Sequence, residues 1–223
     1  FLHSAGWSPE RKGTDTLLRA FAQVRDPDAR LVIAAQCPEA QLRSLLGPEG
    51  KSLLSDERVT LEFGLSGPDL YRRGDVYVYP TRLEGIGLTQ VEALASGLPI
   101  IVPDEEPMRE FARAPFCETV PVVQRKTRVD GYYWPQVDID PEALAAVMTG
   151  YAERSSERRF WITATRSYAA QHFDWKENTK GLPLMLGNEA HLKRGLPSLK
   201  PKASCRLDGW LSVSQSPQAK LVG

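Results

Sequence analysis

Apolar positions along this chain alternate between two rhythms. Short β-branched, leucine-rich or aromatic runs occur at residues 1–6, 31–35, 59–63, 76–79 and 98–102. Between them apolar residues recur every three to four positions, the spacing of one helix face. Leu17, Leu18, Phe21, Ala22 and Val24 form such a face after Thr14, a predicted N-cap, and residues 39–46 predict a second helix. Residues 47–57 read as linker with a short helical piece, and a small helix starts at Ser66 or Gly67. Leu88, Val91, Leu94 and Ala95 share a face that Gly97 ends, and Pro107 opens a further short helix. Asp140 and Pro141 are the N-cap and first position of a helix over 141–151. The last periodic segment, 157–172, carries an aromatic stripe, Trp161, Ala164 and Tyr168, expected in the core.

Strand and helix in alternation predict an α/β domain: a doubly wound, mostly parallel, Rossmann-like sheet of about six strands with helices on both faces. One stretch departs from the alternation. Between residues 119 and 137, Asp130-Gly131 separates two β-rich runs and predicts a hairpin. From 181 to 223 periodicity is lost, and this stretch reads as a poorly ordered tail with one short helix near 189–193.

Charge narrows the function classes. Lysine plus arginine equals aspartate plus glutamate at 28 each, so no global field draws the chain to nucleic acid or an anionic membrane. Arg125, Lys126 and Arg128 beside Tyr132, Tyr133 and Trp134 are one short basic-aromatic cluster, read as a packed hairpin rather than a nucleic-acid platform. Cys37, Cys117 and Cys205 are odd in number and lack histidines at metal-ligand spacing, which points to reduced thiols and a cytoplasmic setting. No apolar run reaches the roughly 20 residues that span a bilayer.

Candidate chemistry concentrates in residues 75–103. The run 76–79 ends at Pro80, Gly85 and Gly87 make a tight loop, and a helix begins. Glu84 therefore falls at the carboxyl edge of the sheet, where open α/β folds bind ligands, and Glu92 lies one turn into the helix on the face of Leu88. The unpaired amides of Gly87, Leu88 and Thr89, with the helix dipole behind them, suit a phosphate. The predicted ligand is an anion that carries hydroxyls for the two glutamates. The alternative is a glutamate favoured by the helix dipole and a glycine turn that binds nothing.

Glu84-Gly-Ile-Gly-Leu-Thr-Gln-Val-Glu92, preceded by Val-Tyr-Pro-Thr-Arg and followed by Ala-Leu-Ala-Ser-Gly-Leu-Pro, resembles the E-x7-E segment of retaining glycosyltransferases of family 4, which have the GT-B fold. The resemblance covers residues 1–175 and implies the C-terminal, nucleotide-sugar-binding half of such an enzyme. The N-terminal acceptor domain would be missing, since the chain begins without methionine on what reads as an interior strand, and 176–223 would be a helical or irregular tail. It further implies transfer of a hexose from a nucleotide diphosphate sugar with retention, no metal and no other cofactor. Glu84 would orient the sugar, Glu92 would bind the ribose, and the loop Gly85, Ile86, Gly87, Leu88 and Thr89 would contact sugar and diphosphate.

Residues 6–13, Gly-Trp-Ser-Pro-Glu-Arg-Lys-Gly, are similar to the family's G-R-x4-K-G loop. Gly6, Lys12 and Gly13 match; Lys12 would hold the diphosphate, and Arg11 is the nearest substitute for the arginine that Trp7 replaces. Arg11 and Lys12 precede a helix N-terminus, the unfavourable end of the dipole for a cation, unless an anion sits between them and the amides. His3 faces the donor or packs structurally, Gly64 and Leu65 are minor candidates for framing the base, and Arg109 reads as a surface residue among acids. Asp138-Ile-Asp140 matches the D-x-D pattern of metal-dependent enzymes, but Asp140 is read as a cap. Two other classes remain beside the enzyme: a non-catalytic nucleotide-sugar-binding module or inactive fragment, and an interaction domain.

Overall fold

The computed structural model describes residues 1–65, 67–127 and 134–182. Six strands, β1 (Leu2–Gly6), β2 (Leu31–Ala35), β3 (Val59–Phe63), β4 (Tyr77–Val78), β5 (Ile100–Pro103) and β6 (Glu118–Val120), form one sheet. Their order is β3-β2-β1-β4-β5-β6 and each neighbouring pair is parallel. The chain winds outward from β1 to β3, then returns to β4 beside β1 and winds the other way. The loops that follow β1 and β4 therefore meet where the direction of winding reverses, the place at which such sheets leave a crevice.

Side-chain alternation along the strands divides the interior into two cores. Val76 and Val78 face a core shared with Ala5, Ile33, Leu17 and Leu42, whereas Tyr77 and Tyr79 face a second one with Ala93, Leu94, Ile100 and Val102. Full burial of side chains such as Leu17, Ile33, Leu94 and Ile100 stabilises the fold by roughly 1.5–3 kcal/mol each. Both faces are thus covered, as the near-continuous apolar runs require.

The crossover helices are α1 (Thr14–Phe21), α2 (Glu39–Leu53), α3 (Pro68–Tyr71), α4 (Leu88–Ser96) and α5 (Met108–Phe111). Helix α2 continues past the predicted 39–46 but bends at Gly47, whose backbone is not helical, before Pro48. The hairpin is present as antiparallel β7 (Val122–Thr127) and β8 (Pro135–Ile139), while its Asp130-Gly131 turn, Arg128, Tyr132 and Tyr133 lie outside the described residues. Helix α6 (Pro141–Glu153) packs on α1, and α7 (Arg158–His172) packs on α4. The Asp140 carboxylate accepts the Glu142 amide at 3.1 Å, the predicted cap. The buried stripe of α7 is Trp161, Thr165 and Ala169, with Tyr168 half-buried against Phe116 and Phe173, so the predicted face is turned slightly.

Residues Phe1–Asp174 make one compact unit and a second begins at Trp175 with α8 (Trp175–Asn178). Most of the tail, from 183 onward, including Cys205 and the helix predicted near 189–193, lies outside the described residues. Among the described residues no helix is long and apolar enough to cross a membrane.

Candidate functional site

The loop after β1 folds back on itself before α1. The amides of Lys12, Gly13 and Thr14 donate to the carbonyls of Ser8, Glu10 and Pro9 at 3.0, 3.1 and 3.0 Å. The amide that opens α1, that of Thr14, is therefore satisfied by the loop, and Thr14 is not the cap. The cap position belongs to Gly13, at φ 71°, and the Thr14 hydroxyl lies instead 2.8 Å from His3 Nε2. A Cβ on Gly13 would sit 2.0 Å from the Pro80 carbonyl oxygen. Only glycine permits that approach, which carries Lys12 across to the loop after β4.

Glu84 is the meeting point. Its Oε1 accepts from Arg11 Nη1 at 2.8 Å, Lys12 Nζ at 2.7 Å and Thr81 Oγ1 at 2.7 Å. Arg11 Nη1 also donates to the Leu83 carbonyl at 2.6 Å, and Lys12 donates to the Tyr79 hydroxyl while standing 4.6 Å from its ring centroid. The anion that Arg11 and Lys12 meet in this structure is a carboxylate of the chain itself. Burial pushes the Glu84 carboxyl up, but hydrogen bonds from Lys12 and Thr81 and the lysine charge outweigh it and hold the group below its ordinary range. Burial lowers Lys12, and Glu84 offsets only part of that effect. Two cations on one carboxylate leave one positive charge in excess at the edge of the sheet.

Beside this cluster, α4 starts without a side-chain cap at Gly87, which adopts φ 80°. Gly85 is exposed, Ile86 and Leu88 turn their side chains largely to solvent, and Thr89 is half-buried. Beneath the loop lies Gln90, fully buried with neither end of its amide paired. Gly6 ends β1 with its carbonyl accepting the Gln36 amide at 3.0 Å, and Trp7 next to it is 67% exposed.

Glu92 has a different partner from Glu84. Its Oε2 accepts from the Tyr71 hydroxyl on α3 at 2.6 Å. The two glutamates are joined through a row of rings: Tyr71 to Tyr77 at 5.9 Å between centroids, Tyr77 to Tyr79 at 5.5 Å, then Lys12 and Glu84. Burial raises all three phenols, so they stay neutral; Tyr71 and Tyr79 hydrogen-bond, whereas the buried Tyr77 hydroxyl is unpaired among the described residues. The structure thus brings Arg11, Lys12 and Glu84 into direct contact beside the loop 85–89, and links Glu92 to them through tyrosines.

Other candidates fall away from the cluster. His3 is fully buried, with Nδ1 donating to the Val78 carbonyl at 2.9 Å and Nε2 accepting from Thr14, a tie between β1, β4 and α1. Gly64 turns the chain after β3, and Arg109 pairs with Asp104 and Glu106 on the surface. Asp138 is held by Arg82 and Lys126 and Asp140 by its own helix; among the described residues no group of three His, Cys, Asp or Glu is arranged to hold a metal ion. Arg125 and Lys126 of the basic cluster pair with Glu105 and Asp138. A cavity of about 270 Å³, lined by Arg30, Arg73, Tyr151 and Trp161 among others, lies at the opposite end of the strands, away from this cluster.

Tyr71, Tyr79, Thr81 and Arg82 were not anticipated from sequence. Tyr79 and Thr81 end an apolar run and read as strand and turn, and Arg82 finds its carboxylates 67 and 56 residues away. The one local signal was an arginine placed directly behind a buried strand.

The curated relative LpsB, a lipopolysaccharide core biosynthesis mannosyltransferase of Rhizobium meliloti, is 28% identical over 70% of this chain and 46% of its own length. The matched stretches span less than half of the curated relatives. HepE from Anabaena, solved with UDP and glucose, superposes with a TM-score of 0.62 at 18% identity, over 83% of this chain and 48% of HepE. The C-terminal domain of LpcC, a group 1 family glycosyl transferase from Francisella tularensis, gives 0.60 at 16% identity over 78% of this chain and 86% of that domain. These two likenesses bear on the fold. The family model described as glycosyl transferases group 1 matches residues 1–150, and by that match the chain belongs to this family.

Proposed function

We propose that this chain is the donor-binding half of a retaining, two-domain glycosyltransferase of GT-B fold, which transfers a hexose from a nucleotide diphosphate sugar to an acceptor held by an N-terminal domain outside this sequence. The observation that carries the reading is the convergence of Arg11 and Lys12 on Glu84 beside the uncapped start of α4. The guanidinium and the half-buried ammonium that hold one carboxylate oxygen are the right donors for a diphosphate, and the helix-terminal amides beside them add to these. HepE binds UDP and glucose on a similar fold, which supports a nucleotide sugar as the ligand.

In this reading the diphosphate takes Arg11 and Lys12 from Glu84. The freed carboxylate turns to the sugar hydroxyls, and the amides of Gly87, Leu88 and Thr89 face the phosphates, with Gly6, Gly13, Gly85 and Ile86 giving the backbone close access. Glu92 receives the ribose. As the glycosidic bond breaks, negative charge grows on the leaving diphosphate, and Lys12 and the loop amides stabilise it without reorganising. These side chains and dipoles neutralise the phosphates with no metal, and this half alone, lacking the acceptor domain, does not turn over. Free, buried Cys37 and Cys117 suit a reducing cytoplasm.

Titration calorimetry with UDP, GDP and ADP tests the binding claim, and heat from none of them would refute it. NMR of the product anomer, made by the protein with its acceptor domain, tests retention. Trp7, where the resembled loop has arginine, favours a second reading, a nucleotide-sugar-binding module without catalysis; binding without turnover in the same assays would select it.

A further inference from the structure

Arg82 is 9% exposed and uses every hydrogen-bond donor that it has. Nε donates to Asp138 Oδ1 at 2.5 Å; Nη1 donates to Asp15 Oδ1 at 2.8 Å and to the Glu10 carbonyl; Nη2 donates to Asp15 Oδ2 at 2.8 Å and to Thr16 Oγ1 at 3.2 Å. A guanidinium has five N–H groups, and all five are engaged. Its backbone is committed too: the amide donates to the Arg11 carbonyl at 2.8 Å, and the carbonyl accepts the Val137 amide at 2.9 Å. One residue thereby fastens the β1–α1 loop on one side, the first turn of α1 beneath, and strand β8 of the hairpin on the other.

The position of this clamp matters for the reading above, on which the inference rests. Arg82 binds the carbonyls of Glu10 and Arg11, immediately before Lys12, and lies two residues before Glu84. It therefore sets both sides of the Lys12–Glu84 contact. It also occupies the carboxylates of Asp15 and Asp138, and both groups are held below their ordinary range: burial pushes each up, and hydrogen bonds from Arg82, with Lys126 for Asp138, outweigh it. Arg19 also pairs with Asp15 at 3.5 Å and Lys126 with Asp138 at 2.9 Å, but without Arg82 both acids would be left with charge to spare beside the loop of Arg11 and Lys12, where an incoming diphosphate must bind.

We infer that Arg82 is a positioning residue for diphosphate binding, which holds Arg11, Lys12 and Glu84 in register and sequesters Asp15 and Asp138 from the two cations. Arg82 does not touch the ligand. The β7–β8 hairpin, through Asp138, becomes part of the donor site's support rather than an appendage. Lysine cannot replace the arginine here, because three donors on a single nitrogen cannot span two carboxylates, a hydroxyl and a carbonyl.

The test is UDP titration of the protein and its Arg82→Lys and Asp138→Asn variants, across pH 5–8, with thermal melting alongside. The expected result is at least tenfold weaker UDP binding by Arg82→Lys, and a partial regain of affinity when Asp15→Asn is added to it, since removing a competing charge repairs only a sequestering role. Asp138→Asn, which keeps the arginine, is expected to weaken binding threefold or more, and it decides the matter if Arg82→Lys does not fold. UDP affinity within twofold of the unmodified protein in the folded variants, whatever their melting temperatures, would overturn the inference and leave Arg82 a structural ion pair. Failure of the unmodified protein to bind any nucleoside diphosphate would instead strike the functional reading itself.

Discussion

Lys12 Nζ and Glu84 Oε1 lie 2.7 Å apart although 72 residues separate them in the chain. Each is delivered by the loop after one of the two central strands, and the pair closes the crevice where the sheet's winding reverses. If the proposed function holds, a diphosphate has to replace the carboxylate that now pairs with both cations.

Lys12→Ala should weaken UDP binding by roughly 10- to 100-fold, the range of one to two charge-assisted hydrogen bonds. Glu84→Gln should leave UDP affinity unchanged or tighter, since the competing charge is gone, while turnover of the sugar nucleotide falls. Calorimetry and steady-state rates on the two variants check this, and weaker UDP binding by Glu84→Gln would contradict the displacement.

Glu92 is exposed and held by a single tyrosine, so Glu92→Ala should change the melting temperature little. A ribose partner should nonetheless be lost. The expected outcome is UDP binding weakened about tenfold, with pyrophosphate binding unaltered. Equal losses for both ligands would remove Glu92 from the ribose.

Three glycines of the site should differ in tolerance to alanine. Gly13→Ala drives a Cβ to 2.0 Å from backbone at Pro80 and should lower stability by several kcal/mol or prevent folding. Gly87→Ala meets only the movable end of Gln90, at 2.3 Å, but needs φ 80°, and should cost about 1–2 kcal/mol. Gly85→Ala meets nothing within 4 Å and should be near neutral. Urea denaturation gives the order directly.

His3 ionises only with difficulty. Burial, more than the hydrogen bond to Val78 can offset, brings its pKa down to about 4 from the ordinary 6.5. The unfolded chain takes up a proton below 6.5 that the folded chain refuses until about 4, so stability falls with falling pH across that window and no further below it. The total is about 3 kcal/mol, at about 1.4 kcal/mol per pH unit. His3→Gln should lose this slope in urea titrations at pH 4 to 7, whatever its own stability.

The alternation of apolar runs and helical faces carried the fold, because a strand buried on both sides needs an unbroken apolar run and a crossover helix needs a stripe. Val76 to Tyr79 shows how fully: its period of two assigns valines to one core and tyrosines to the other. Gly85, Gly87 and the two glutamates were legible as a candidate site for the same local reason, since a glycine turn leading into a helix exposes amides wherever it occurs. Thr14 was misread as a cap because its better partner, His3, comes from a neighbouring strand. Only the tertiary structure decided that Arg11 and Lys12 share one oxygen of Glu84, that Tyr71 holds Glu92, and that Arg82 saturates its five donors on segments up to 72 residues away. Local spacing fixes which face of an element a residue occupies, but charges act through space over a few ångströms, and those neighbours exist only after the sheet has brought β1 beside β4.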